Sequence, residues 1–195
     1  MRNIAIFASG SGSNAQRIIE YFKDHPSISV QLVLTNKSDA YVLQRAANNK
    51  IPSIVFNKEQ FYQNDDVLNI LIQYKVDFLI LAGFLWLMPV KMIEKFDRRV
   101  INIHPALLPK YGGKGMFGIL VHKAVVENKE RETGITIHYV NKEYDKGDII
   151  FQAKCKINPE DSPDDVANKI HELEYQHFPV VIERIIMSVG RGSDV

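Results

Sequence analysis

The sequence has one cysteine, one tryptophan and almost no net charge. The single cysteine, Cys155, excludes an internal disulfide and fits a reducing compartment; with no histidine beside it, we expect it to be a packing residue. A net charge of +1 gives no basic surface for nucleic acid or an anionic membrane. No apolar run approaches the roughly 20 residues of a membrane span, and the N-terminal stretch MRNIAIFASG lacks a signal-peptide pattern. We therefore expect a cytoplasmic protein with no nucleic-acid or membrane partner.

Short apolar runs alternate with segments of helical periodicity. Strands are predicted at residues 4–8, 29–34, 53–56, 77–82, 100–103, 134–140 and 149–155. Helices are predicted at residues 14–22, 40–49, 61–74 and 89–95, and from an N-cap at Ser162 to about residue 187. The first five strands are apolar throughout, which is typical of a parallel sheet covered on both faces. The last two alternate and are joined by the polar turn NKEYDKGD, which indicates an antiparallel pair.

These elements predict a single α/β domain over residues 1–195, with a frayed tail at 188–195. The expected architecture is a Rossmann-like, open, mostly parallel twisted sheet with helices on both faces. The antiparallel strand pair lies near its C-terminal end.

A glycine-rich loop, SGSGSN at residues 9–14, joins the first strand to the first helix. Backbone N–H groups at a helix N-terminus bind anions, phosphate above all, although a plain strand-to-helix turn also explains one glycine. The loop satisfies G-x-G-x-x-A through Gly10, Gly12 and Ala15, so a dinucleotide fold is an alternative. A dinucleotide-binding fold normally has an acidic residue at the end of the second strand. This chain has TNK at that point, and the first acidic residue after the strand, Asp39, comes later. A monophosphate is the better fit.

A second polar cluster follows the fifth strand, in VINIHPALLPKYGGKG at residues 100–115. Asn102 and His104 stand two residues apart at the strand end, just before a proline-rich loop. An Asn amide is a neutral donor for an oxyanion, and a histidine near neutrality donates to an oxyanion or supplies a proton. Asp145 in the later turn can favour the charged imidazole. Taken singly, Asn102 could cap a turn and His104 could be a structural histidine.

Three strings occur together: GSGSN in the first loop, LAGF after the fourth strand, and NIHPALLP at residues 102–109. With Asp145 in YDKGD, they resemble the phosphoribosylglycinamide formyltransferase family, in order, from about residue 2 to residue 187. The resemblance implies the formyltransferase fold and transfer of a formyl group from 10-formyltetrahydrofolate to the amine of glycinamide ribonucleotide. That reaction, a step of purine biosynthesis, passes directly through a tetrahedral intermediate. It implies small-molecule substrates, no metal, and a monomer or homodimer.

The resemblance also implies roles for single residues. By matching positions, these are the catalytic residues Asn102, His104 and Asp145, the ribonucleotide-binding residues Gly12, Ser13, Asn14 and Glu174, and the folate-binding residues Leu85, Trp86, Leu87, Met88 and Asn102.

The chain departs from the family pattern around the expected folate site. Leu85 and Trp86 stand where many members have Met-Arg, and Lys58 is the one basic residue in NKEQFYQNDD, where some members carry an arginine. A tryptophan can stack on a flat ring but cannot pair with a carboxylate, so the sequence does not say how the folate tail is held. The loop at residues 111–122 contains four glycines and predicts either a mobile flap or a folded surface loop.

The sequence predicts different locations and roles for the remaining histidines. His138 alternates with apolar residues on a strand and is expected to support the catalytic residues without touching substrate. His122 either faces substrate or begins a solvated helix. His25, His171 and His177 are expected to be surface or packing residues.

Three other classes of protein compete with this interpretation. Methionyl-tRNA formyltransferase shares the core but carries a further domain and a basic tRNA-binding surface, which we do not expect in 195 residues with a charge of +1. Formyltetrahydrofolate deformylase normally carries an extra N-terminal domain. A noncatalytic nucleotide-binding module or a dinucleotide oxidoreductase gives no reason for Asn102, His104 and Asp145 to occur together.

Overall fold

The computed structural model describes residues 1–189. Its strands are β1 (Arg2–Phe7), β2 (Ile28–Thr35), β3 (Ser53–Val55), β4 (Phe78–Leu81), β5 (Val100–His104), β6 (Glu132–Tyr139) and β7 (Ile149–Lys156). Its helices are α1 (Ser13–Phe22), α2 (Val42–Asn48), α3 (Asp66–Gln73), α4 (Val90–Lys95), α5 (Ile119–Glu127) and α6 (Pro163–Val189). The strands form one sheet in the order β3-β2-β1-β4-β5-β6-β7, parallel up to β5 and antiparallel from β5 to β7. This confirms the predicted Rossmann-like fold.

Both faces of the sheet are covered, as the continuous apolar character of the parallel strands predicts. Successive residues of β1 point to opposite faces. Ile4 and Ile6 join a buried cluster with residues of α1, α2 and α6. Ala5 and Phe7 join a second cluster with residues of α3 and α4. Each fully buried isoleucine or phenylalanine side chain contributes about 1.5–3 kcal/mol to folding. The two buried clusters therefore hold the strand ends in a fixed register.

The strand order creates a crevice at the carboxyl ends of β1 and β4, where such sheets bind ligands. The chain runs outward from β1 to β2 and β3, then returns to the other side of β1 as β4. Ser9, just after β1, ties the neighbouring loops together: its N–H donates to Gly83 O at 3.0 Å, and its hydroxyl accepts from Leu85 N–H at 3.1 Å and donates to Asn36 Oδ1 at 2.7 Å. The loops after β1, β2 and β4 therefore meet at one edge.

The helix predicted over residues 61–74 is wrong in its first half. A π-helical turn, Glu59–Gln63, is followed by Asn64 in an extended conformation, and α3 begins at Asp66. Lys91 from α4 donates to the carbonyl of Asn64 and to the Asp65 carboxylate. The break is thus stabilised by a contact with a distant part of the chain, which periodicity does not register.

The predicted N-cap of α6 is present. Ser162 Oγ accepts from Asp165 N–H at 3.2 Å, and the Asp165 carboxylate accepts from Ser162 N–H at 2.9 Å, forming a capping box with Pro163 at the first helical position. The helix continues to Val189, so residues 188 and 189 are helical and not frayed; the rest of the predicted tail, 190–195, lies outside the described residues. Within residues 1–189, no helix is both long and apolar enough to cross a membrane.

Candidate active site

A cleft with a cavity volume of about 650 Å³ opens at the carboxyl edge of the sheet. Its walls include the loop at residues 9–14, residues 82–85 after β4, residues 102–105 at the end of β5, and the loop at residues 113–118. The structure brings eight sequence-predicted site residues to this cleft: Gly12, Ser13, Asn14, Leu85, Asn102, His104, Asp145 and Glu174. His122, for which the sequence left two positions open, also lines it. Trp86, Leu87 and Met88, also predicted, are not part of its lining.

Asn102 is oriented by His138 through the pairing of β5 with β6. The antiparallel register places the two residues directly opposite each other, with Asn102 Nδ2 3.0 Å from His138 Nε2. His138 Nδ1 lies 2.8 Å from the carbonyl of Tyr139; we assign the ring proton to Nδ1, where it has an acceptor. Nε2 is then the acceptor for the Asn102 amide. One amide hydrogen of Asn102 is therefore held by His138, and the second is directed elsewhere.

His104 lies two residues further along β5, on the same face as Asn102. The ring is only 4% exposed. Its Nε2 donates to the carbonyl of Tyr111 at 2.7 Å, and its Nδ1 lies 3.5 Å from Asp145 Oδ2. Burial lowers the pKa of His104, and the Asp145 carboxylate and the Tyr111 carbonyl oppose that shift only in part. The imidazole is therefore neutral near pH 7.

The chain after His104 is fastened to β6 by Thr136. Its hydroxyl donates to the carbonyl of Ala106 at 2.7 Å and accepts from Leu108 N–H at 3.0 Å. Gln152 on β7 donates to the same hydroxyl at 2.9 Å. These hydrogen bonds fix the start of the proline-rich loop, and with it the position of the His104 ring.

Asp145 places an ionised carboxylate between two imidazoles. It sits in the turn between β6 and β7 with φ +55°, a left-handed conformation that Asp and Asn adopt more readily than most residues. One oxygen accepts from Gly113 N–H at 2.8 Å and faces His104; the other lies 3.6 Å from His138 Nε2. Burial by itself raises the pKa of Asp145, but attraction to the protonated forms of His138 and His104, together with the hydrogen bond from Gly113 N–H, outweighs it and holds that pKa below its usual value.

Gly12 shapes the glycine loop at the start of α1. It adopts φ +69°, and a Cβ there would lie 2.5 Å from Val42 Cγ2, so both backbone and packing require glycine. The turn directs the N-terminus of α1, which begins at Ser13, toward the cleft. Free backbone N–H groups at such a terminus favour an anion.

Asn14 and Glu174 form a buried pair that links α1 to α6. Asn14 Nδ2 donates to Glu174 Oε2 at 2.8 Å. Burial raises the pKa of Glu174 to about 7, and the hydrogen bond from Asn14 lowers it only in part. Asn14 Oδ1 is buried and has no hydrogen-bond partner among residues 1–189. An unsatisfied buried group costs about 1–3 kcal/mol, so this acceptor fits a ligand that carries a donor.

The expected folate segment at residues 85–88 divides between the cleft and an aromatic cluster. Leu85 lines the cleft. The Trp86 ring stacks on Tyr62 at 5.9 Å and lies 6.0 Å from Lys58 Nζ. The other aromatic rings near Trp86 are those of Phe56, Phe61 and Phe84. Met88 is buried, and the carbonyl of Leu87 accepts from the Tyr62 hydroxyl at 2.9 Å. The Trp86 ring thus packs largely against the protein itself.

Two further histidines line the cleft. α5 begins at Ile119, so His122 does not begin a solvated helix. His122 is buried, and within the described part of the chain its Nδ1 has no hydrogen-bond partner. Burial, helped by repulsion from His171 and His104, lowers the pKa of His122 to about 4. His171, expected to be a surface or packing residue, also lines the cleft and stacks on Tyr175. No local motif marks either residue, because each reaches the cleft through helix packing.

His25, His177 and Cys155 lie away from the cleft lining. His25 pairs with Glu183, and His177 packs on Phe151. Cys155 is half-buried in β7, where burial raises the pKa of its thiol. In the part of the chain that the structure describes, no group of three or more His, Cys, Asp and Glu side chains could hold a metal ion.

The arrangement is suited to chemistry at a carbonyl carbon. Asn102 and His104 supply neutral hydrogen-bond donors for developing negative charge, and Asp145 supplies an adjacent anion that stabilises a proton on an imidazole. An anion-binding helix terminus lies in the same cleft. The fold and the site together define an α/β enzyme that handles a small anionic substrate at a topological switch point.

Comparison with known proteins agrees with this class. The model of the formyl transferase family matches residues 2–182. The chain belongs to the formyl transferase family, which confirms the resemblance seen in its motifs.

Relatives and solved structures are similar over most of the chain. A chloroplastic phosphoribosylglycinamide formyltransferase of Arabidopsis thaliana is 40% identical over 94% of this chain, which spans 65% of that protein. A phosphoribosylglycinamide formyltransferase of Haemophilus influenzae is 39% identical, with 94% of this chain and 86% of that protein covered. The crystal structure of the Bacillus halodurans phosphoribosylglycinamide formyltransferase superposes with a TM-score of 0.86 at 30% identity, covering 96% and 97% of the two chains.

Proposed function

We propose that this chain transfers the formyl group of 10-formyltetrahydrofolate to the amine of N1-(5-phospho-D-ribosyl)glycinamide. The products are formylglycinamide ribonucleotide and tetrahydrofolate, in de novo purine biosynthesis. One observation carries the proposal: Asn102, His104 and Asp145 converge in a cleft that also contains the N-terminus of α1 behind Gly12. Carbonyl chemistry and recognition of a phosphorylated amine are thereby combined in one site.

The ribonucleotide occupies the α1 side of the cleft in this proposal. Gly12, Ser13 and Asn14 hold its phosphate at the helix N-terminus. Glu174, paired with Asn14, approaches the sugar or the glycinamide as an acceptor, and as a donor when protonated. The buried, unpartnered Asn14 Oδ1 supports a ligand here.

The formyl donor lies on the β4 side. Leu85 contacts the folate from the cleft wall, and residues 85–88 border its ring system with Asn102 close by. The aromatic cluster around Trp86 holds this segment in place by its own packing.

The transfer is direct. The amine attacks the formyl carbon, a C–N bond forms, the C–N bond to the folate nitrogen breaks, and one proton passes from the amine to the departing nitrogen. Negative charge develops on the formyl oxygen in the tetrahedral intermediate, and the free amide hydrogen of Asn102 and a His104 N–H donate to it. One such donor is worth about 3–4 kcal/mol of barrier. The Asp145 carboxylate stabilises a proton on His104 and relays the amine proton through water.

His104 must change partner before it can donate to the formyl oxygen. Its Nε2 hydrogen is engaged by the carbonyl of Tyr111, at the base of the loop at residues 111–118. We therefore propose that this loop rearranges when the substrates bind. The last four residues of the flap predicted at 111–122 belong to α5 and are not part of the moving segment.

The family relatives and solved structures described above carry the name phosphoribosylglycinamide formyltransferase, which supports a ribonucleotide acceptor over tRNA or water. We propose that the enzyme acts as a monomer or a homodimer. The proposed partners are small molecules, with no nucleic acid, membrane or metal. We place the reaction in the cytoplasm, in keeping with the single cysteine.

A spectrophotometric assay tests the proposal. Purified protein is mixed with 10-formyltetrahydrofolate, with and without the ribonucleotide, and loss of the formyl group is followed by absorbance. Turnover that depends on the ribonucleotide is expected. Equal turnover without it identifies a deformylase, and no turnover in either case overturns the assignment.

A further inference from the structure

His122 is a buried histidine of the cleft wall that the proposed chemistry does not use. It is 3% exposed, and no hydrogen bond holds its ring within residues 1–189. The rings of His104 and His138 differ, because each has neighbours engaged at both nitrogens. The His122 ring therefore keeps hydrogen-bonding capacity that a ligand in the cleft can use.

The position of His122 indicates which part of the ligand it would contact. His122 lines the cleft together with His104, where the formyl group reacts, and its helix α5 packs against α6, which carries His171 and Glu174. His171 is three residues before Glu174 and shares its helix face, so His122 lies on the Glu174 side of the cleft. The part of the ribonucleotide between its phosphate and its reacting amine is the ribose.

The electrostatics of His122 select an uncharged partner. With a pKa of about 4, caused mainly by burial, the ring is neutral at physiological pH. A neutral imidazole offers a hydroxyl one hydrogen bond but gives a phosphate dianion no charge. Nδ1 is enclosed by protein, so Nε2 is the nitrogen left for the ligand.

We propose that His122 is a substrate-binding residue whose Nε2 forms a hydrogen bond with a ribosyl hydroxyl of the ribonucleotide. The inference rests on the proposed function and adds a determinant of its specificity: the site distinguishes a ribosyl amine from an amine that lacks the hydroxyl.

A double-mutant-type cycle, which combines a substitution in the enzyme with removal of a hydroxyl from the substrate, tests this proposal directly. kcat/KM is measured for the ribonucleotide and its 2′-deoxy and 3′-deoxy analogues, with the unsubstituted enzyme and with His122→Ala. We expect the substitution to raise the ribonucleotide KM about tenfold, with kcat and the folate KM changed less than about threefold. The kcat/KM of the unsubstituted enzyme should fall about tenfold when one of the deoxy analogues replaces the ribonucleotide, whereas the kcat/KM of His122→Ala should fall less than about twofold with the same analogue.

Conservative variants separate binding from folding. A glutamine places its amide nitrogen near the position of His Nε2, so His122→Gln should retain most of the discrimination; His122→Asn ends near Nδ1 and should behave like His122→Ala. His177→Ala, at a half-buried histidine outside the cleft lining, is the matched control and should change neither KM nor discrimination. If His122→Ala fails to fold, the glutamine and asparagine variants decide the question in the same way.

A second measurement needs no substitution. In 15N-labelled enzyme, the Nε2 resonance of His122 should shift on adding the ribonucleotide and shift less with the sensitive deoxy analogue. If the loss of kcat/KM caused by His122→Ala and the loss caused by removing a hydroxyl simply multiply for both deoxy analogues, His122 does not bind either hydroxyl. The role of His122 is also overturned if the unsubstituted enzyme has the same kcat/KM for the ribonucleotide and both analogues. An unsubstituted enzyme with no ribonucleotide-dependent turnover overturns the proposed function as well, so the two failures are distinguishable.

Discussion

Asp145→Asn removes one negative charge from the centre of the proposed catalytic cluster of Asn102, His104 and Asp145 and leaves the geometry almost unchanged. Asparagine keeps an oxygen that can accept from Gly113 N–H and tolerates the φ of +55° at this position. What is lost is the attraction between the carboxylate and a proton on His104. The variant therefore isolates the electrostatic contribution of Asp145.

The size of the effect follows from the distance. At 3.5 Å between His104 Nδ1 and Asp145 Oδ2, two unit charges attract by roughly 1 kcal/mol in water-like surroundings and by roughly 5 kcal/mol at an effective dielectric constant of 20. Both side chains are at least mostly buried, with exposures of 5% and 11%, so the value lies toward the upper end. With each 1.36 kcal/mol worth a factor of ten, kcat should fall by about 10²–10³.

The assay is steady-state turnover with both substrates saturating, accompanied by thermal unfolding. KM for the ribonucleotide should change little, because the substitution lies at the reacting centre. Asp148→Asn is the matched control: this aspartate of the same turn is 76% exposed and pairs with Arg98, so its loss should alter kcat less than about twofold. A folded Asp145→Asn enzyme within about threefold of the unsubstituted rate refutes the electrostatic role.

Three further predictions concern the rest of the site. Gly12→Ala should raise the ribonucleotide KM at least tenfold, because its positive φ and close packing exclude a Cβ, whereas Gly10→Ala, with nothing within 4 Å of its added Cβ, should leave KM unchanged; steady-state kinetics distinguishes them. His138→Ala should lower kcat about tenfold by releasing the Asn102 amide, and the same change should cost almost nothing in an Asn102→Ala background; additive losses contradict this orientation. Because the folded-state pKa of Glu174 is raised to about 7, the unliganded enzyme loses stability as pH rises from about 4.5 through 7, and Glu174→Gln should gain about 3 kcal/mol relative to it between pH 4.5 and 8 in urea unfolding; a pH-independent difference contradicts the buried carboxyl.

Local patterns predict the sheet and the edge at which the candidate site residues lie. Apolar strands followed by polar side chains identify the edge at which Asn102 and His104 lie, because the carboxyl ends of parallel strands meet there. The same reasoning places the Gly12 loop beside them. The capping box of α6 is likewise local and is present as the sequence indicates.

Contacts between distant segments are what the sequence does not predict. The pairing of Asn102 with His138 depends on the β5–β6 register, which a one-residue slip would abolish. His122 and His171 reach the cleft only through the packing of α5 and α6. The break at Asn64 depends on Lys91, which is 27 residues away in the chain.

The position of Trp86 shows the same limitation for the folate site. A tryptophan beside an expected ring-binding site suggests stacking on the ligand. In the structure its ring instead packs against Tyr62 and neighbouring aromatic residues. Residue type alone does not distinguish a side chain that contacts a ligand from one that supports the wall behind it.

The most direct test of the central claim is the fate of a labelled formyl group. The purified enzyme is incubated with 10-[13C]formyltetrahydrofolate and the ribonucleotide, and the products are followed by 13C NMR, with His104→Ala as the inactive control. We expect the label to appear on the glycinamide nitrogen as a formamide, and the rate of His104→Ala to be at least about 10²-fold lower. Label released as free formate, or transfer at an unchanged rate in His104→Ala, would contradict it.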